Sequence, residues 1–188
     1  DVSAYIPTNI ISITDGQIYL SPDLFQAGML PAVDVGLSVS RVGGKTQIGA
    51  MKKLAQQMRL TYTQFLELEQ FTKFGTAMDS STQGTLEKGK RIRELLKQGS
   101  HVPLPLAEQV MLLHVAASPA IDSVPADQIR QFEADFLQAA RERLGDLLAR
   151  ISEGEKINDE QGQSITALAE RVAKDRGSKA ETSDAGSA

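Results

Sequence analysis

Cysteine is absent from the 188 residues, which excludes disulfides and thiolate metal sites. Histidine is scarce. His101 and His114 stand far apart and show no metal-ligand spacing, so no metal site is expected. Positive charge is not in excess either: the formal net charge is -4, against the basic face that general nucleic-acid binding favours. No apolar stretch approaches the ~20 residues that span a bilayer, and no basic, apolar signal segment stands at the start. The first residue is not methionine, and the opening "DVSAYIPTNIISI" is strand-like, which suggests a piece of something longer. "KTQIGAMKK" (45–53) contains a Gly and a Lys but does not fit the phosphate-cradling loop G-x-x-x-x-G-K-[ST]. No Ser-His-Asp or Cys-His nucleophile set is visible. What remains is 41% hydrophobic and 23% charged, an ordinary soluble composition. The length suffices for one good core, or for a domain plus part of another.

Three regions follow one another. Residues 1–44 are rich in β-formers and turn residues. "NIISI" (9–13) and "QIYL" (17–20) read as short strands around the reversal "TDG" (14–16). In "SPDLFQAGMLPAV", Ser21 is the expected N-cap, Pro22 an N1 residue and Gly28 a C-terminal stop. "DVGLSVSRV" reads as a further strand. So little sheet does not stand alone, and its strands are expected to pair with others outside this chain.

From Lys45 to about 176 the period is helical. Ile48, Met51, Ala55, Met58, Tyr62 and Phe65 form one apolar face of a long helix ending near Phe74. "GTAMDSST" (75–82) breaks it. A second helix over roughly 82–97 carries Leu86, Ile92, Leu95 and Leu96 and stops at Gly99. Pro105 opens a short apolar helix through "AEQVMLLHVAA", ended by Ser118–Pro119. After "SVPADQ", Ile129, Phe132, Phe136, Ala140, Leu144, Leu147 and Ile151 predict one continuous helix of about six turns, closed by Gly154. Asn158 with Gln161 resembles a capping box, and Ile165, Leu168 and Val172 stripe the last helix. Residues 177–188 have almost nothing to bury and are expected to be disordered. No internal repeat is apparent. The fold class is mainly α: a helical bundle preceded by a few β-strands.

Most of the polar and aromatic candidates have plain explanations. His114, in an apolar helix with no partner at i±4, reads as a packed or surface histidine. Glu133 and Asp135 read as a solvated face. Tyr62, Phe65, Phe71 and Phe74 at helical spacing read as core. Arg41 differs, since it closes the strand-like "VGLSVSR" just before Gly43 and Gly44. One reading is a structural salt bridge with Asp34 or Asp15. The other is a cation held at a strand end to stabilise charge on a phosphate, a role that a neighbouring subunit can supply.

"DVSAYIPTNIISITDGQIYL", "LPAVDVGLSVSRVGG" and "ELLKQG" together resemble the alpha subunit of the F-type rotary ATP synthase. The resemblance covers roughly residues 1–175, from the last strands of a RecA-like nucleotide-binding domain through the C-terminal helical domain. It implies a regulatory, non-catalytic subunit alternating with beta subunits in a hexameric ring around a central gamma stalk, with peripheral stalk subunits outside. ATP synthesis or hydrolysis would be coupled to proton or sodium transport, with ATP or ADP and Mg²⁺ bound in the full-length complex. The complex would sit on the cytoplasmic (or matrix or stromal) face of a membrane, this subunit touching the membrane only through the complex and binding no nucleic acid. By the same resemblance Arg41 is the arginine finger that reaches the phosphates bound on beta, with Ser12 and Ser38 as supporting hydrogen-bond groups.

Two departures stand out. The family's adenine pocket matches here at Phe25, Pro31 and Gln98, but Leu30 replaces its arginine and Ser100 its second glutamine. Weaker or differently posed binding of the non-catalytic nucleotide is expected, and the chain alone should bind ATP poorly. The family's acidic turn toward the central stalk is here "TAMD", which keeps only Asp79 of two acids and places Met78 beside it as an apolar contact. A divergent family member would fit both changes. The competing readings are a non-enzymatic helical protein–protein interaction module, and a related transcription-termination or secretion ATPase. Against the latter, those relatives do not share "LLKQG" or a bundle of this length.

Overall fold

A computed structural model describes residues 3–72 and 79–184, with side chains as far as Gly177. It divides into two compact units, Asp1–Gln47 with Lys97–His101, and Ile48–Leu96 with Val102–Ala188. The segment Lys97–His101, assigned above to the helical region, thus belongs with the first unit.

In the first unit, α1 (Tyr5–Ile13) is a helix where the sequence pattern predicts a strand at 9–13. A strand must find backbone partners beside it, and among the described residues none is offered. The segment closes its own hydrogen bonds instead, with three hydroxyls reinforcing them: Thr8 Oγ1 donates to the Ala4 carbonyl, Ser12 Oγ to Thr8 and Thr14 Oγ1 to Ile10. None of its residues is buried. Two-residue strands β1 (Gly16–Gln17) and β2 (Val39–Ser40) pair antiparallel, Gly16 opposite Ser40 and Gln17 opposite Val39. Further along, an isolated Leu20–Val33 bridge and a bond from the Ser21 N–H to the Ala32 carbonyl at 2.8 Å close the segment. Between them lies α2 (Pro22–Gln26), built as expected: Ser21 accepts from the Leu24 N–H, Pro22 sits at N1, and Gly28 turns the chain at φ 74°. Asp34 folds the following loop by accepting from the N–H groups of Gly36 and Leu37.

The second unit is a helical bundle of α3 (Gly49–Thr72), α4 (Ser80–Leu95), α5 (Leu106–Ala117), α6 (Ile129–Arg143), α7 (Gly145–Ser152) and α8 (Asp159–Asp184). Its core gathers the stripes: Phe65 from α3, Ile92 from α4, Val110, Met111 and Val115 from α5, Phe132 and Phe136 from α6, Ile151 from α7 and Ile165 from α8 are fully buried. Phe71 is instead exposed, near the end of α3, and Phe74 lies outside the described residues. The single long helix predicted over 129–151 is two, because the backbone leaves helical geometry at Leu144 (φ -123°, ψ 27°) ahead of Gly145. Glycine costs about 1 kcal/mol in a helix interior, and the apolar period survives the break, so periodicity alone did not reveal it. The Asn158–Gln161 capping box forms reciprocally, each backbone N–H donating to the other's side chain at 2.8 Å. Helix α8 then runs to Asp184, past the start of the expected disordered tail at Gly177.

Ion pairs tie the helices across the bundle. Glu108 on α5, buried, takes Arg141 of α6 in a two-point contact at 2.7 and 2.9 Å. Glu133 and Asp135 do not form the solvated face expected of them. Asp135 pairs with Arg176 of α8. Glu133 is buried against the bundle, and that burial raises its carboxyl above the ordinary range, Arg130 working the other way.

Candidate functional site

Arg41 leaves β2 at the rim of the small sheet. Its N–H donates to the Asp15 carbonyl at 2.9 Å. Before it, Ser38 Oγ accepts from the Tyr19 N–H at 3.0 Å, while the Asp34 N–H donates to the Tyr19 carbonyl at 2.9 Å. After it, Ser40 Oγ accepts from the Gly43 N–H at 2.8 Å, and a 3-10 turn over Gly43–Lys45 follows. The backbone is therefore held on both sides while the side chain is exposed. Of the two acids offered as salt-bridge partners, Asp34 binds its own loop, and Asp15 meets Arg41 only through its backbone carbonyl. Among the described residues the guanidinium has no ion-pair partner. The structure thus joins Ser38 and Arg41 in one hairpin. It places Ser12 elsewhere, on α1, with its hydroxyl on the Thr8 carbonyl at 2.9 Å.

Beside α2 a shallow apolar pocket of about 470 Å³ is lined by Leu20, Pro22, Phe25, Gln26, Leu30 and Pro31, among others. Phe25 and Pro31 thus line the same pocket. Gln98 is joined to it through its backbone, its N–H donating to the Leu30 carbonyl at 2.8 Å. Ser100, two residues on, is exposed and does not line the pocket. An exposed aromatic face beside a proline, with few polar atoms around, fits a flat heteroaromatic base held by apolar contact. Leu30 adds apolar surface where the resembling family carries an arginine. The residues therefore suit a purine ring better than the phosphates attached to it.

Asp79 caps α4. Its carboxylate accepts from the Thr82 N–H at 3.0 Å and from Ser81 Oγ at 2.8 Å, and bonds from Thr82 and Ser81 hold it below its ordinary value. A capping acid of this kind can be recognised in "DSST", where the resemblance alone assigns Asp79 to a contact with the central stalk. Met78 lies outside the described residues.

In the bundle, a groove of about 850 Å³ runs between α3 and α8 with the end of α5 as its floor. His114 sits there with Nε2 3.0 Å from the Gly162 carbonyl and 3.3 Å from Thr166 Oγ1. A carbonyl only accepts, so Nε2 carries the proton. Lys53, Lys156, Asp159 and Glu170 line the same groove. Burial holds the His114 ring below the ordinary value of 6.5, partly offset by the Gly162 bond. A folded-state value below the unfolded one means that acid favours unfolding. The contribution of neutral His114 is full above the unfolded value and is lost as pH falls through the folded one. Thermal melts between about pH 7.5 and pH 5 should therefore decline, and His114→Gln should flatten that decline. An identical slope in the variant would remove His114 as its cause.

Comparison with known proteins bears on both units. The family described as "ATP synthase alpha/beta chain, C terminal domain" matches residues 47–172, and "ATP synthase alpha/beta family, nucleotide-binding domain" matches residues 1–40. ATP synthase subunit alpha of Desulforudis audaxviator is 50% identical over 170 residues, which is 90% of this chain and 34% of that protein. ATP synthase subunit alpha 1 of Rhodopirellula baltica is 49% identical over 169 residues, 90% and 34% of the two chains. The Salinibacter ruber subunit alpha is 52% identical over 159 residues, 85% and 29%. The chain spans about a third of the length of the curated relatives it matches.

Proposed function

Because the chain belongs to the ATP synthase alpha/beta family, we propose that it is the C-terminal part of an alpha subunit in a rotary, F-type ATP synthase. Its first unit closes the nucleotide-binding domain and carries Arg41 to the catalytic site of an adjoining beta subunit. Its helical unit packs in the ring around the gamma stalk, with Asp79 on the side facing it and peripheral stalk subunits outside. The observation that carries this reading is an exposed guanidinium on a backbone fixed from both sides, with no acid of its own chain among the described residues. A planar fork that stays charged at every working pH suits phosphate oxygens in a way that a lysine does not.

Such a group acts on charge that develops during phosphoryl transfer. Ser38 supports it by holding the hairpin through Tyr19; Ser12 would need to come alongside from another element. The pocket at Phe25 and Pro31 would hold the base of a non-catalytic ATP or ADP, Mg²⁺ and the phosphates being met by parts of the subunit outside this chain. With Leu30 and Ser100 in place of a cation and an amide, that nucleotide should bind more weakly than in relatives that keep both. The complex is membrane-associated, and no described helix here is long and apolar enough to cross a membrane. Ion transport, of protons or sodium, belongs to other subunits.

Assembly tests the proposal. The full-length protein containing this sequence should co-purify with a beta-type subunit and restore ATPase to a ring that lacks alpha. Stable binding to an unrelated partner, with no ring and no restored turnover, would overturn it.

A further inference from the structure

We infer that Gly16 and Ser40 form the seat that positions Arg41, so that both act on turnover through the guanidinium without touching a ligand. The inference rests on the arginine-finger reading. Gly16 lies opposite Ser40 in the ladder with φ 149°, a conformation that side-chain-bearing residues rarely adopt. A Cβ there would stand 2.3 Å from the Val39 carbonyl oxygen and 2.9 Å from the Ser40 Cα. These are backbone atoms of the residues leading into Arg41, with no flexible end that could swing aside. Relief requires β2 to move off β1, and with it the bond from the Arg41 N–H to the Asp15 carbonyl, one residue before Gly16.

Ser40 holds the other side. Its hydroxyl accepts from the Gly43 N–H at 2.8 Å, and Thr46 closes the same turn through its hydroxyl on the Gly43 carbonyl at 2.9 Å. Gly43 leaves little slack, since a Cβ on it would meet the Ser40 Cβ and Oγ at 3.2 Å. Arg41 is thus clamped between a close strand approach and a tight turn. A long side chain amplifies any tilt at its root, and misplacement by about 1 Å can cost roughly 10²-fold in rate.

The test is a set of double-mutant cycles in the assembled ring, made with the full-length subunit. Gly16→Ala should lower multi-site ATPase by about 10²-fold with nucleotide affinity retained, and Ser40→Ala should give a smaller loss. Each should add little to Arg41→Lys, because both are read through the residue already changed. A merely structural role would slow Arg41→Lys by the same factor as the unaltered enzyme, and that multiplicative result overturns the inference. If Gly16→Ala fails to assemble, the Ser40→Ala cycle decides by the same criterion. Near-normal turnover of Arg41→Lys alone sinks the arginine-finger reading and this one with it. A slow Arg41→Lys beside near-normal Gly16→Ala and Ser40→Ala sinks only the seat.

Discussion

Arg41→Lys in the assembled ring should leave nucleotide binding close to its starting value and abolish most multi-site turnover. Arginine fingers as a class are worth ~10³–10⁵ in rate, which at 1.36 kcal/mol per tenfold is about 4–7 kcal/mol of transition-state stabilisation. The split between binding and rate is the informative part. Ground-state phosphates are already neutralised by the groups that bind them, so a cation arriving from the neighbouring subunit matters mostly when charge shifts during transfer. Lysine keeps the charge but presents one rotatable ammonium instead of a planar fork, and so cannot reproduce a two-point contact. Arg41→Ala should be slower still. Steady-state ATPase on rings reconstituted with full-length alpha, read beside nucleotide titrations, checks this. Turnover near that of the unaltered ring would remove Arg41 from the chemistry, whatever the affinity did.

How much of this could be read beforehand depends on the range of the interactions concerned. Local devices were legible: Ser21 and Pro22 opening α2, Gly28 closing it, and the Asn158–Gln161 box starting α8 all involve groups within four residues of one another. Stripe residues such as Phe132, Phe136 and Ile165 were also legible, because burial on a helix follows a period. Non-local determinants were not. Residues 9–13 have strand composition, but what decides between strand and helix is whether another strand lies alongside, and that information is not in the segment. Glu133 and Asp135 looked like surface acids until Arg130 and Arg176 and the neighbouring helix faces were in place. The break at Leu144 was masked because the apolar period runs through it unchanged.

The candidate site divides the same way. "SVSRVGG" marked Arg41, yet Asp34 could be set aside as its partner only once it was seen folding its own loop, and Asp15 only once it was seen to meet Arg41 through its backbone. Phe25 and Pro31 meet in one pocket, while Ser100 stays outside it and Ser12 is held by α1. The residues that sequence reasoning passed over are mostly glycines. Gly16, Gly89 and Gly162 have no side chain to advertise a role; each is defined by what crowds it, respectively Val39, Phe65 and His114.

Gly89 gives the largest expected effect on stability. It lies in α4 where a Cβ would fall 2.0 Å from Cγ and 2.1 Å from Cδ2 of Phe65. That ring cannot retreat easily: it is fully buried, Tyr62 lies beside it with centroids 5.7 Å apart, and the Arg93 guanidinium covers it at 4.6 Å. Arg93 is itself held by Glu69 in a two-point ion pair, one contact at 2.8 Å. In an open helix position Gly→Ala stabilises by about 1 kcal/mol. Here overpacking opposes it, ordinarily by ~1–3 kcal/mol and by more where a rigid ring must shift. Gly89→Ala should therefore lower stability by about 2 kcal/mol or more net, a fall in Tm of roughly 4–8 °C for a chain of this size. Gly84, on the same helix with nothing within 4 Å of its Cβ position, supplies the contrast, and Gly84→Ala should raise Tm. Phe65→Ala should relieve part of the Gly89→Ala penalty, since it removes the clashing Cγ and Cδ2 and leaves only the Cβ, at 2.5 Å. If Gly89→Ala behaved like Gly84→Ala, α3 and α4 could not be packed ring against backbone at this point, because only the gain in helix propensity would then remain at both positions.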